Sequence, residues 1–268
     1  MKTYVITGAS SGIGKALAEF FSVDNIVYAG YRDKSKKNEL LKISGNIQPF
    51  YIDYTKPETI YEAACCIKSA ASKIDTLINA AGCVVAGAME YIPISEIRRQ
   101  FEVNVFGHID LTKQLLITLN GGKIINISSM AGYGLFPFIA PYCASKSALD
   151  IMFNLFSLET KQNIKVVSLK LGVVATPIWS KSIEENRQTI EKCKNYSKET
   201  AYLISNAKKN ELKGLSTNKV TKIVASIDKA EHPKPVYNIG FDSIITSFVS
   251  HLPQPMLNEI IKFRLKRL

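Results

Sequence analysis

The stretch Thr3-Tyr4-Val5-Ile6-Thr7-Gly8-Ala9-Ser10-Ser11-Gly12-Ile13-Gly14 runs from a short apolar segment through three glycines into a helical pattern. Three residues separate the first two glycines and one separates the last two. Glycine lets a backbone turn tightly and lets a ligand come close. Unpaired N–H groups at a helix start, together with the helix dipole, favour a pyrophosphate at that place. A glycine cluster alone says little, because a plain tight turn uses glycine too. Its weight comes from lying between a first strand and a first helix.

Outward from this turn the chain keeps the same alternation. Short apolar runs at 3–7, 26–29, 48–52, 76–79, 123–127, 165–171 and 236–239 are separated by helical patterns, among them 14–21, 57–72, 94–119 and 144–160. Strands alternating with helices predict βαβ units and a parallel sheet covered on both faces. Right-handed crossovers then give a doubly wound α/β sheet. The 268 residues suit one domain with one large core. Residues 177–213 break the rhythm, being polar and helical; they read as an insertion at the carboxyl end of a strand, where a lid would lie. Residues 241–268 form a C-terminal extension. Its last part places Leu257, Ile260, Ile261, Leu265 and Leu268 near one face, with Lys262, Arg264, Lys266 and Arg267 on the rest. Such a helix docks on its own domain or a second subunit, or lies on a membrane surface; docking is the preferred reading.

Composition narrows the function classes. The net charge of +11 is uneven, with 15 Lys and Arg against 13 Asp and Glu in residues 1–150 but 19 against 10 in residues 151–268. The basic residues are dispersed and no binding motif accompanies them, so no nucleic acid partner is expected. Cys65, Cys66, Cys83, Cys143 and Cys193 are odd in number and lack paired spacing. His108, His232 and His251 are far apart. No metal site and no disulfide framework are expected. Lys2 leads into the short strand without a signal-peptide pattern, and no long apolar run crosses a membrane, so a cytoplasmic protein is expected.

A second motif carries chemistry. Tyr142-Cys143-Ala144-Ser145-Lys146 sets a tyrosine and a lysine four residues apart, on one helix face. A phenol is a poor base at neutral pH, and a neighbouring ammonium stabilises its phenolate and tunes it for proton transfer. Thirteen residues before the tyrosine, Ser129 ends Ile125-Asn126-Ile127-Ser128-Ser129. Asn79-Ala80-Ala81-Gly82 ends the fourth strand, and Asn104 lies in Glu102-Val103-Asn104-Val105.

These motifs together resemble the short-chain dehydrogenase/reductase family over nearly the whole chain. The resemblance implies a single-domain Rossmann fold and an oxidoreductase acting between a nicotinamide cofactor and an alcohol or ketone. It implies a catalytic Asn104, Ser129, Tyr142 and Lys146. Ser129 would polarise the substrate oxygen, Tyr142 would transfer the proton, and Lys146 would bind the nicotinamide ribose and lower the pKa of Tyr142. Asn104 would help hold a water linking the lysine to solvent. Cofactor contacts are implied at Gly8, Ser10, Ser11, Gly12, Ile13, Gly14, Asp53, Asn79, Ala80, Gly82, Tyr142, Lys146, Gly172, Val174 and Thr176. The family's proline before Gly172 is replaced by Leu171, which should loosen that loop slightly. An acid at the end of the second strand would favour NAD. Tyr31 stands there instead, followed by Arg32, whose guanidinium suits a 2′-phosphate; NADP is expected in preference to NAD, with Asp33 working against it. The segment between Ser129 and Tyr142 implies a substrate pocket at Tyr133, Phe136 and Phe138, and hence an apolar carbonyl or alcohol. Tyr28–Asp33 and 237–252 are similar to the retinol and 17β-hydroxysteroid dehydrogenase branch. A homodimer or homotetramer is implied, with its interface around 94–119 and 144–160. Two other readings compete: an NADP-binding sensor without turnover, and an epimerase or dehydratase of the extended branch. The complete quartet speaks against the first, the glycine spacing against the second.

Overall fold

A computed structural model describes residues 1–266. Arg267 and Leu268 of the expected amphipathic face, and the side chain of Arg264, lie outside the described residues. Seven strands form the sheet: β1 (Thr3–Ile6), β2 (Ile26–Tyr31), β3 (Ile47–Tyr51), β4 (Thr76–Asn79), β5 (Lys123–Ser129), β6 (Lys165–Leu171) and β7 (Val236–Ile239). Their order across it is β3-β2-β1-β4-β5-β6-β7, and each neighbouring pair is parallel. The helices in chain order are α1 (Gly12–Phe21), α2 (Lys37–Leu41), α3 (Pro57–Ala70), α4 (Ile94–Phe101), α5 (Gly107–Leu115), α6 (Ala140–Glu159), α7 (Ile178–Glu185), α8 (Arg187–Lys192), α9 (Ser197–Lys213), α10 (Thr217–Lys229), α11 (Phe241–Val249) and α12 (Gln254–Lys266).

Both faces of the sheet are covered, because successive strand side chains point to opposite sides. In β1, Ile6 packs with Leu17, Ala18, Val220 and Val224 of α1 and α10. Its neighbour Val5 packs with Ile60, Leu111, Leu115, Leu149 and Phe153 of α3, α5 and α6. Ile125 and Ile124 of β5 divide in the same way. Each fully buried side chain of this size stabilises the fold by about 1.5–3 kcal/mol relative to exposure. The strand order reverses between β1 and β4, and a crevice opens at their carboxyl ends.

The helix expected over 94–119 is present to Leu115 and carries one irregularity: α4 passes without a gap through a π-helical turn at Glu102–Phe106 into α5. The wider turn adds a residue to the helical path, and such bulges occur often at functional sites. Here it contains Asn104, which is fully buried.

Candidate active site

The glycine turn after β1 faces the chain leaving β4. Thr7 Oγ1 accepts hydrogen bonds from the N–H groups of Ala80 (3.0 Å) and Ala81 (3.1 Å). A Cβ on Gly8 would lie 2.8 Å from Ala81 Cα, and Gly8 has φ +64°. A Cβ on Gly14 would run into the Gly8 carbonyl oxygen. These glycines are therefore required by close backbone approach and, at Gly8 and Gly12 (φ +55°), by left-handed geometry. Ser11, at the N-cap of α1, makes no capping bond with its side chain, so the first N–H groups of α1 remain available to an anion.

Beside this turn lies a cleft of about 890 Å³, within the usual size of a small-molecule site. It brings together Gly8, Ser10, Ser11, Gly12, Ile13, Gly14, Arg32, Asp53, Ala80, Gly82, Ser129, Tyr142, Lys146, Gly172, Val174 and Thr176, with Phe136 and Phe138 further along. Three expected residues stand elsewhere. Asn79 is buried within the sheet and donates to Asn126 Oδ1 at 2.9 Å, leaving its own Oδ1 unpartnered. Asn104 lies behind the wall, accepting from the Cys83 N–H (2.9 Å) and donating to Cys83 O and Ser145 Oγ (both 3.0 Å). Tyr133 is outside the cleft. Its hydroxyl donates to Asn238 Oδ1 (2.8 Å) and contacts Ser247 Oγ (3.1 Å), and Lys170 Nζ sits 4.1 Å from its ring centroid. The short turn Met130–Tyr133 swings this side chain toward β7 and α11, which corrects its expected place in the substrate pocket.

Tyr142 stands in the first turn of α6, where Pro141 costs no hydrogen bond. Burial pushes the phenol up to about 12, against a hydrogen bond with Ser129 that draws it down. The sequence suggested that Lys146 would lower this group. In the structure the lysine Nζ instead donates to the Ile127 carbonyl at 2.9 Å and lies 5.9 Å from the Tyr142 ring centroid, so desolvation decides the direction. Lys146 is itself buried, which lowers its ammonium to about 8 although Asp150 and Cys83 act upward. Gly82 lies beside both Asn104 and Lys146: a Cβ there would make ordinary contact with Asn104 Oδ1 (3.4 Å) and Lys146 Nζ (3.8 Å). Burial also raises the thiols of Cys83 and Cys143 to about 11, which keeps them protonated and unsuited to nucleophilic attack. His108 is buried, with Nδ1 3.2 Å from the Tyr54 hydroxyl and Nε2 3.0 Å from Ala81 O. Burial, with the Lys146 charge second, takes it down to about 3, so it is a neutral core residue.

The loop after β6 is held without the missing proline. Asp242 Oδ2 accepts from Val173 N (2.7 Å), Gly172 N donates to Ile239 O (2.8 Å), and Leu215 pairs with both Val173 and Ala175. These bonds tie the loop to β7, to Asp242 of α11 and to Leu215. A Cβ on Gly172 would collide with the Asp242 carboxylate, so the tie depends on that glycine.

The insertion at 177–213 lines the far wall, but which of its residues turn inward was not legible in the sequence. Ile178, Trp179, Lys181, Ser182 and Glu185 of α7 line the cleft, with Tyr202, Leu203 and Asn206 of α9. Residues Ile261 and Leu265 of α12 complete it. Trp179 Nε1 donates to Val174 O (3.0 Å), and Asn186 bonds both Val84 O (2.8 Å) and Ala86 N (3.1 Å). The insertion is thereby fastened on both sides of the opening. Apart from Trp179, nothing in its polar helical pattern marks which residues turn inward. The C-terminal helix docks on its own domain through Leu257, which is buried.

The comparisons agree with this geometry. The family model described as short chain dehydrogenase matches residues 2–187. The NADPH-dependent 3-dehydrocapnine reductase of Ornithobacterium rhinotracheale is 30% identical, over 100% of this chain and 99% of that protein. The uncharacterized oxidoreductase YusZ of Bacillus subtilis (strain 168) is 31% identical, over 98% of each. The crystal structure of a short-chain dehydrogenase from Streptomyces avermitilis covers 99% of this chain and 97% of its own, with a TM-score of 0.76 and 24% identity. With the reversal point, the glycine turn and the Ser–Tyr–Lys cleft in one place, the chain belongs to the short-chain dehydrogenase/reductase family of oxidoreductases.

Proposed function

We propose that this protein is an NADP(H)-dependent reductase of an apolar ketone, acting through Ser129, Tyr142 and Lys146 with Asn104 in support. The observation that carries the reading is Tyr142, half-buried in the cleft of the glycine turn together with Ser129 and one helical turn from Lys146. The site fits a dinucleotide. Gly8, Gly12 and Gly14 permit the tight turn that leads into the uncapped N-terminus of α1, where a pyrophosphate would sit, and Arg32 opens onto the same cleft. The dependence on NADPH named for the Ornithobacterium relative supports the same choice. When bound, the cofactor supplies the hydride.

The protein's own residues handle the oxygen and the proton. In this reading Ser129 Oγ donates to a carbonyl oxygen as negative charge grows there. Tyr142, kept as a phenol by burial, donates the proton. The Lys146 ammonium stabilises the phenolate left behind. Burial keeps the phenol protonated at neutral pH, the form that reduction consumes. Leu135, Phe136, Phe138 and Ile139, facing Leu203, Ile261 and Leu265, support an apolar substrate.

NADPH consumption across a panel of apolar ketones, including steroids and retinal, tests the reading. The expected result is turnover of one class, with Tyr142→Phe losing about 10²–10⁴-fold in kcat while binding NADPH normally. Tight NADPH binding without turnover on any ketone would favour the sensor reading instead. A second copy of the chain is proposed as the partner. Ile94, Phe106 and Ile117 around α4 and α5, and Ile151, Met152, Leu155 and Leu158 on α6, are exposed apolar residues on the elements where the interface was expected.

A further inference from the structure

Within this nicotinamide reading of the cleft, we propose that Lys181, reaching in from the inserted helix α7, is a second cation for the 2′-phosphate of NADP(H). Glu185, one turn further on, occupies Arg32 until that phosphate arrives.

Three observations carry this. The glycine turn and the end of β2 form one corner, joined by the hydrogen bond from Ala9 N to Gly30 O (2.8 Å). Lys181 Nζ enters that corner and lies 3.4 Å from Ser11 Oγ. Its charge is felt by Asp33 across the same gap. Asp33 does not compete for the phosphate position. Its Oδ1 accepts from the Ser35 N–H (2.9 Å) and hydroxyl (2.8 Å), capping the short Lys34–Lys36 turn. Lys181 and Arg32 therefore bring two cations to a corner where the Asp33 carboxylate is already engaged with Ser35.

Glu185 supplies the counter-charge. Its Oε1 lies 3.9 Å from Arg32 NH2 and its Oε2 lies 3.6 Å from Arg99 NH2. Lys181 and Glu185 are four residues apart and share one helix face. The helix itself is pinned through Trp179 and Ser182, whose hydroxyl donates to Val84 O at 3.2 Å. The Arg32–Glu185 pair is long and solvent-exposed, so it holds weakly. A phosphate offers Arg32 a shorter, bidentate, charge-assisted contact. Glu185 keeps Arg99 when Arg32 leaves. Arg32 thus has two alternative anionic partners, one of them built into the chain, and Lys181 favours the external one.

Trp179 is the single tryptophan of the chain and lines the cleft, so its fluorescence reports binding without turnover. Titrations would use NADPH, NADH, adenosine 2′,5′-bisphosphate and 5′-AMP. Lys181→Met should weaken NADPH and the bisphosphate by about tenfold and leave NADH and 5′-AMP within about twofold. Lys181→Arg should keep the preference. Glu185→Gln should tighten NADPH by about two- to fivefold with NADH unchanged. Equal weakening of NADPH and NADH by Lys181→Met, or no effect on either, would overturn the role of Lys181. Unchanged NADPH affinity in Glu185→Gln would overturn the competitor. Wild-type protein that binds neither dinucleotide would overturn the nicotinamide reading itself, a result distinct from a lost preference.

Discussion

Replacing Lys146 with methionine should make the cofactor-free protein more stable at neutral pH, and the gain should vanish in alkali. Burial brings the Lys146 ammonium from an ordinary 10.5 down to about 8. At 1.36 kcal/mol per pKa unit, the charged form costs the fold about 3 kcal/mol. The lysine also donates to Ile127 O at 2.9 Å, worth about 1 kcal/mol net. Below pH 8 both folded and unfolded chains carry the proton, so the cost is felt in full. Between pH 8 and 10.5 the unfolded chain binds more protons than the folded one, so wild-type stability rises with pH. Methionine has neither cost nor pH dependence. Lys146→Met should therefore exceed wild type by about 2 kcal/mol at pH 7 and fall about 1 kcal/mol below it above pH 10.5. Urea unfolding of both proteins at pH 7, 9 and 10.5 measures the difference. Other titrating groups, such as Cys83 and Tyr142, are common to both proteins and cancel to first order. A gap that stays constant with pH, or a variant less stable than wild type at pH 7, would refute the argument. The same substitution should abolish turnover, the usual trade between stability and a strained functional site.

Gly14→Ala should destabilise the protein by about 3 kcal/mol, because its Cβ meets the Gly8 carbonyl oxygen and lies 3.1 Å from Thr7 O. Thermal unfolding checks this, and NADPH titration should show binding lost with it. Asp228→Asn should cost about 2–3 kcal/mol. Its carboxylate accepts from Lys2 Nζ (2.7 Å), Tyr4 OH (2.8 Å) and Thr76 Oγ1 (2.6 Å). Burial pushes that group up, but these bonds outweigh it and hold it below the ordinary carboxylate value. Its stabilisation is present above that range and is lost as pH falls through the folded-state value, so the wild-type advantage over Asp228→Asn should shrink in acid denaturation. The double variant Leu155→Glu, Leu158→Glu should yield monomers in light scattering at micromolar protein, against a dimer or tetramer for wild type. An unchanged mass would move the interface away from α6.

Gly8, Gly12 and Gly14, the alternating apolar runs and the Tyr142–Lys146 spacing were readable from sequence because each is a local constraint. Close backbone approach admits only glycine, strand and helix periods repeat at fixed intervals, and residues four apart share a helix face. That was enough for the doubly wound sheet and for most of the cleft near the turn. Other features required the tertiary structure, because they depend on what is packed against what. Desolvation, which no spacing reveals, sends Tyr142 up and Lys146 down. Asp242, 70 residues beyond Gly172, holds the loop after β6. Tyr133 turns toward Asn238 instead of the cleft. Lys181 and Glu185 look like ordinary surface charges in a polar helix, and only the placement of α7 across the opening sets them against Ser11 and Arg32. Backbone geometry is written locally in the chain, whereas the charge and solvation of a site are set by distant residues that meet there.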